Sequence, residues 1–153
     1  MQKITPFLWF DGNAEVAMNF YVSVFRDAKI GNVSRYGPGG PGPAGAVMTA
    51  SFSLLGQDFI ALNGGPMYQF TPAISFMVSC ETQDEVDHYW NALSAGGSEQ
   101  PCGWLRDQFG LSWQIIPTAL PRLMSSTEPG RAGRVMQAML KMKKIDIKGL
   151  EDA

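Results

Sequence analysis

Apolar and polar residues along the chain follow two periods, one of two residues and one near three and a half, and the two alternate in the same order twice. Ile4–Phe10 reads as a strand, closed by Asp11-Gly12-Asn13, which offers a helix cap. Val16, Phe20 and Val24 then recur at four-residue spacing with Ala17 and Tyr21 beside them, which predicts a helix from Ala14 to about Phe25. Ala28–Tyr36 is the next strand. Val47–Leu55 and Asp58–Leu62 form a hairpin turned at Gly56-Gln57.

The second half repeats that order. Ala73–Cys80 reads as a strand, and Thr82-Gln83-Asp84-Glu85 as a capping box, with a hydroxyl at the cap and a carboxylate three residues on. Val86, Tyr89, Trp90 and Leu93 follow at helical spacing until Gly96-Gly97 ends the run. Short strands are expected at Glu99–Cys102 and Trp104–Arg106, then at Leu111–Ile116. Each half is therefore strand, helix, three strands. The pattern divides the chain into a module over 1–66, a second over 67–118 and a helical tail over 119–153, all within one domain. In the tail Met136, Met139, Leu140 and Met142 make an apolar stripe flanked by Arg131, Arg134, Lys141, Lys143 and Lys144. That stripe is expected to pack on the sheet or on a partner subunit, with its cations in water.

Composition adds boundaries. The chain has 153 residues, 45% apolar and 17% charged, an ordinary globular balance. A net charge of −2 gives no electrostatic reason to expect nucleic acid or an anionic membrane as partner. No apolar run approaches the roughly 20 residues that cross a bilayer. The opening MQKITPFLWFDGNAE lacks the apolar stretch of a signal peptide, and Cys80 and Cys102 are too far apart for a CxxC pair, so a cytoplasmic protein is the expectation.

Candidate chemistry is sparse. The loop GPGGPGPAG, Gly37–Gly45, is rich in glycine, but Pro38, Pro41 and Pro43 remove amide donors and a strand follows. A phosphate or dinucleotide loop needs free N–H groups at a helix N-terminus, so a hairpin loop is expected instead. The same argument removes a recognisable cofactor loop, and no cofactor is expected. Cys80 and Cys102 are expected to be structural thiols on strands. The single histidine, His88, falls one position off the buried stripe of its helix and is expected near the surface. Asp107 and Gly110 suit a turn between strands, as does Asp58 in the first half.

A doubled βαβββ unit carrying ITPFLWFDGNAEVAMNFY, SFMVSCETQDEVDHYW, CGWLRDQFGLSWQIIP and RVMQAMLKMKKIDI resembles the vicinal-oxygen-chelate superfamily of glyoxalases, bleomycin-resistance proteins and extradiol dioxygenases. Within it the closer likeness is to the PhnB-like branch, labelled 3-demethylubiquinone-9 3-methyltransferase-like. The resemblance implies an α+β fold in which two βαβββ modules form a curved mixed eight-stranded sheet, with C-terminal helices and usually a homodimer. It also implies that metal ligands, where present, sit on the first and last strand of each module. Those positions carry Pro6, Ile60, Ser75 and Gln114, and none supplies the carboxylate, imidazole or thiolate that a divalent ion needs. No metal site is expected.

Alternation places Ser112, Gln114 and Ile116 on one face of the last strand and Leu111, Trp113 and Ile115 on the other. The resemblance turns the Gln114 face toward the cup and buries Trp113 beneath a helix. Gln114 can donate and accept hydrogen bonds without titrating, which suits recognition rather than acid–base work. Gln114, Asn63, Trp104 and Ser75 are the candidate ligand-binding residues, and no catalytic residue is identified. Three readings stay open: a metal-free binder of a small apolar or amphipathic molecule, a methyltransferase-like enzyme or other lyase or transferase, and a non-catalytic structural dimer.

Overall fold

The amide and side-chain constraints of the sequence resolve into eight strands and five helices in a computed structural model describing residues 2–153. The chain separates into two units, residues 1–69 and residues 70–153. In the first, β1 (Phe7–Phe10), β2 (Ala28–Arg35), β3 (Val47–Leu54) and β4 (Gln57–Asn63) form one sheet in the order β1-β4-β3-β2. In the second, β5 (Ser75–Cys80), β6 (Ser98–Glu99), β7 (Trp104–Arg106) and β8 (Ser112–Pro117) repeat it as β5-β8-β7-β6. In both the first and last strands pair in parallel and the rest antiparallel. The expected α+β class and doubled βαβββ order are therefore present, as two four-stranded mixed sheets.

Helix α1 (Ala14–Val24) lies on the first sheet, chiefly against β3. Its buried residues are Ala14, Ala17, Met18, Tyr21 and Val24, whereas Val16 is 63% exposed. The expected Val16–Phe20–Val24 stripe is thus rotated by about one position. Two alanines, not Val16, face the sheet and let the helix approach closely. The expected cap also differs. Asn13 occupies the N-cap but its side chain makes no capping bond. Instead the Ala14 N–H donates to Asn63 Oδ1 at 2.9 Å, so the end of β4 caps the helix. The β3–β4 turn falls on Leu55-Gly56, one residue earlier than expected, because Leu54 pairs with Gln57. Both turn residues have positive φ, 51° and 82°, the geometry of a two-residue hairpin that matches strand twist.

Helix α2 (Gln83–Ser94) buries Val86, Tyr89, Trp90 and Leu93, as its periodicity predicts. Thr82 Oγ1 accepts from the Glu85 N–H at 3.2 Å. Glu85 Oε1 accepts in turn from the Glu81 N–H at 3.1 Å, one residue before the cap itself. Trp113 and Ile115 of β8 are buried, and the Trp113 indole N–H donates to Asp107 Oδ2 at 2.9 Å. Asp107 Oδ1 accepts from the N–H groups of Phe109 and Leu111 at 2.9 and 3.0 Å. This carboxylate, only 2% exposed, knots the β7–β8 turn to the core beneath it.

The tail folds as α3 (Ala119–Met124), α4 (Arg131–Met139) and α5 (Ile147–Glu151), and it belongs with the second unit. Leu120, Leu123, Val135, Ile145 and Leu150 form its own small core, against which Met139 and Met142 pack. Leu140, expected on the apolar stripe, is 53% exposed, because the buried face of α4 is centred on Val135. Gln83 of α2 fastens this layer: Nε2 donates to the Ile145 carbonyl at 3.0 Å and Oε1 accepts from the Ile147 N–H at 2.8 Å. Asp87 meets Lys144 at 2.9 Å, and its bonds with Gln83 and then Lys144 hold its carboxyl below the usual range.

Asp107→Ala should remove three hydrogen bonds to one carboxylate and leave the Trp113 N–H buried without an acceptor. Urea denaturation is expected to show a loss of about 3 kcal/mol or more. A change within about 0.5 kcal/mol would mean that Asp107 merely occupies a turn.

Candidate binding site on the second sheet

One face of the second sheet is covered by α2, and the strand register decides what the other presents. Met77 of β5 pairs with Gln114 of β8, and Gln114 pairs with Trp104 of β7. Directly paired residues point to the same side of a sheet. Met77, Gln114 and Trp104 therefore stand in a row across three strands, flanked on the same face by Ser79 and Ile116. The expected assignment of Gln114 and Ile116 to one face and Trp113 and Ile115 to the other holds.

This row forms part of a cavity of about 410 Å³. Cys102 borders it from the turn before β7. The remaining wall comes from Pro117 and Thr118 at the end of β8 and from Leu120, Pro121 and Met139 of the tail. None of these lining residues is charged. A volume of this size fits a small organic molecule, and the combination of an apolar wall with a few polar groups, here Gln114, Ser79 and Thr118, is typical of such sites.

Gln114 is oriented from behind, its Nε2 donating to Ser75 Oγ at 2.9 Å. Two of the four candidate residues, Ser75 and Gln114, thus form a hydrogen-bonded pair, and Trp104 lies beside them. Asn63 belongs to the other unit and has a structural task there. Its Oδ1 caps α1, its Nδ2 donates to the Val47 carbonyl at 3.0 Å, and its own carbonyl accepts from the Tyr36 hydroxyl at 2.6 Å. Each side-chain polar atom of Asn63 is engaged in holding the fold.

Cys102 requires a correction. It was expected on a strand, but Pro101–Gly103 is a single 3-10 turn and β6 ends at Glu99. Pro101 has no amide hydrogen and cannot continue the ladder. Cys102 itself is left-handed, with φ 64°, a conformation that costs a residue bearing a Cβ about 1–2 kcal/mol. The reason is visible in its bonds. The N–H groups of Cys102 and Gly103 donate to the carbonyls of Met142 and Lys143, each at 2.8 Å. With Cys102 and Gly103 both left-handed, the two successive amides point at the tail. Gly103, at φ 81°, has no alternative, since a Cβ there would lie 2.9 Å from the Ile116 side chain and 3.0 Å from the Ile115 carbonyl.

The other features singled out by sequence fall away from this cavity. Tyr36 and Ala46 bracket the Gly37–Gly45 loop with the Tyr36 N–H to Ala46 carbonyl bond at 2.9 Å, and the loop joins β2 to β3 as a hairpin. His88 is half-buried, edge-on to the Tyr89 ring at 5.0 Å. Cys80 is fully buried, and burial, with the Glu85 charge second, pushes its thiol up to about 12. The first sheet has its own concavity of about 400 Å³, more polar and bordered by Lys29, Ser51, Ser53 and Asp58. Among the described residues no three His, Cys, Asp or Glu side chains come together as a cation site. The positions that could carry metal ligands by resemblance instead bond to protein: the Ile60 N–H donates to the Pro6 carbonyl at 3.0 Å, and Ser75 holds Gln114. This donor set does not fit a divalent ion.

Met77 and Ser79 were missed from sequence, although alternation from Ser75 puts them on the Gln114 face. Cys102, Leu120, Pro121 and Met139 were not accessible that way, because a 3-10 turn and the folding back of the tail bring them there.

Two βαβββ units with these sheets define the glyoxalase-like fold class. This fold is shared with a glyoxylase/bleomycin resistance protein/dioxygenase domain from Frankia sp. EAN1pec, at 15% identity and TM-score 0.50 over 76% of this chain and 92% of that one. It is likewise shared with protein PA1353 from Pseudomonas aeruginosa, at 22% identity and TM-score 0.64 over 76% and 98%. Within the class, the chain belongs to the PhnB-like family described as 3-demethylubiquinone-9 3-methyltransferase, whose family model matches residues 2–116. It is 41% identical to the PhnB protein from Bacillus cereus, TM-score 0.71, over 76% of this chain and 100% of that one. No curated protein matches the sequence.

The two thiols should differ in alkylation. Iodoacetamide is expected to modify Cys102 in the native protein and to reach Cys80 only after denaturation, as read by peptide mass spectrometry. Native labelling of Cys80 at a comparable rate would contradict its burial.

Proposed function

We propose that this protein is a metal-free binder of a small apolar or amphipathic molecule, held on the open face of the second sheet. The observation that carries the reading is the uncharged cavity in which Gln114, positioned by Ser75, stands between Met77 and Trp104. An indole face and two thioether side chains suit a flat apolar body, and an amide suits its polar end. The missing carboxylate, imidazole and thiolate at Pro6, Ile60, Ser75 and Gln114 support binding without a divalent ion.

A homodimer is part of this reading. Phe7, Met67, Tyr68 and Ile74 are large apolar side chains left exposed, and packing against a second copy would remove them from water. Among the described residues no helix is long and apolar enough to cross a membrane, and two unpaired cysteines suit a reducing, cytoplasmic setting. Methyl transfer, which the family description names, is not adopted. The cavity offers no carboxylate, amine or imidazole to take a proton, and the glycine-rich loop joins two strands rather than opening a helix.

The test uses the neutral fluorophore N-phenyl-1-naphthylamine. Saturable binding of one molecule per chain is expected, unchanged by EDTA and weakened at least about tenfold by Met77→Trp, which fills the cavity from an exposed position. Elemental analysis of the same sample should find no stoichiometric divalent ion. Binding that needs a metal, or no saturable binding, would contradict the reading.

A further inference from the structure

The row of Met77, Gln114 and Trp104 has a neighbour on the same open face. Ser75 of β5 pairs with Ser112 of β8, Ser112 with Arg106 of β7, and Arg106 with Ser98 of β6. A two-residue step along a strand keeps the side, so this second row lies about 6.7 Å from the first. Across all four strands it reads hydroxyl, hydroxyl, guanidinium, hydroxyl.

Arg106 is the only lysine or arginine between residues 70 and 118. It is exposed, and among the described residues its side chain has neither an ion pair nor a hydrogen bond. The nearby carboxylates are engaged on the other side of the sheet. Glu99 Oε1 accepts from the Trp90 indole of α2 at 2.7 Å, and Asp107 is occupied with Trp113 and the turn amides. By alternation, no acid of the four strands shares the face of Arg106.

The hydroxyls beside it have donors to offer. Ser112 is fully buried, yet its Oγ has no hydrogen-bond partner among the described residues. Buried hydroxyls are nearly always bonded, so an orphan points to a partner that the chain itself does not supply. Ser75 Oγ accepts from Gln114 Nε2 at 2.9 Å and keeps its own proton to donate. That bond also joins the two rows.

We propose that this row is an anion subsite, and that the molecule held on the second sheet is a flat apolar carboxylate. Its ring lies against Trp104 and Met77, and its carboxylate, on a short tether, meets Arg106 and the hydroxyls of Ser75 and Ser112. This inference rests on the binding reading above and adds to it the charged head of the ligand. A guanidinium fork matches the two oxygens of a carboxylate, and hydroxyl donors complete their coordination. One cation without a second suits a monoanion better than a phosphate dianion. The cavity lining stays uncharged, since the head lies one row beyond it.

Calorimetric titration of the full chain with 3-(2-naphthyl)propanoate and the corresponding propanamide tests the subsite, since the two differ only in the charge of the head. The acid is expected to bind at least about fivefold more tightly at low salt, and the preference should shrink as salt screens the exposed guanidinium. Arg106→Gln, at an exposed site, should bring acid and amide to the same affinity. Ser112→Ala removes a hydroxyl that bonds nothing in the fold, so it should weaken the acid at least about twofold without lowering the melting temperature. Equal affinity of acid and amide for the wild type, or a preference for the acid that survives Arg106→Gln, would overturn the subsite. With N-phenyl-1-naphthylamine still bound in those cases, the binding reading itself would stand. If the naphthylamine and both naphthylpropanoyl compounds fail to bind the wild type, that reading falls as well.

Discussion

The structure of the candidate site depends on the register in which β8 lies between β5 and β7. Moving that strand by one residue would exchange its faces, sending Gln114 into the core and Trp113 into the cavity. The register is held from below. Trp113 and Ile115 are buried, and the Trp113 indole is bonded to Asp107, whose carboxylate also ties down two amides of the preceding turn. An acid that reads as a turn former in sequence therefore fixes which side chains the opposite face displays.

The tail depends on the same strand. It leaves β8 at Pro117, turns at Thr118 against the Cys80 carbonyl, and returns to bond Cys102 and Gly103. The cost of a left-handed cysteine is local and modest, and two amide hydrogen bonds offset it. Backbone strain beside a cavity invites a catalytic interpretation for the thiol. Here the strain has a sufficient structural cause, and Cys102 is a wall residue placed by the docking of the tail.

Much of this was legible from the residues. Period-two and period-3.6 patterns located nearly every element, because each sheet buries one face and each long helix one stripe. Thr82, Asp107 and the Val86–Leu93 stripe behaved as local chemistry dictates. Failures came where distant residues decided the outcome. The α1 cap is supplied by Asn63 rather than Asn13, so an amide expected to meet a ligand is consumed by the fold. Cys102 leaves the strand because carbonyls some forty positions later claim its amide and that of Gly103. Half of the site could be read from alternation around Gln114. The other half could not, since no periodic signal states against which surface a short helix will fold.

Family membership and the site's chemistry bear on different questions. The match over residues 2–116 accounts for the doubled sheet, whereas the uncharged cavity is lined by residues on both sides of residue 116. The direct test is a nuclear Overhauser experiment on methyl-labelled protein with bound N-phenyl-1-naphthylamine. Cross-peaks from the aromatic ring to the methyls of Ile116, Leu120 and Met139 together are the predicted result. Cross-peaks confined to methyls of the first unit, such as Ile30 or Ile60, would contradict it.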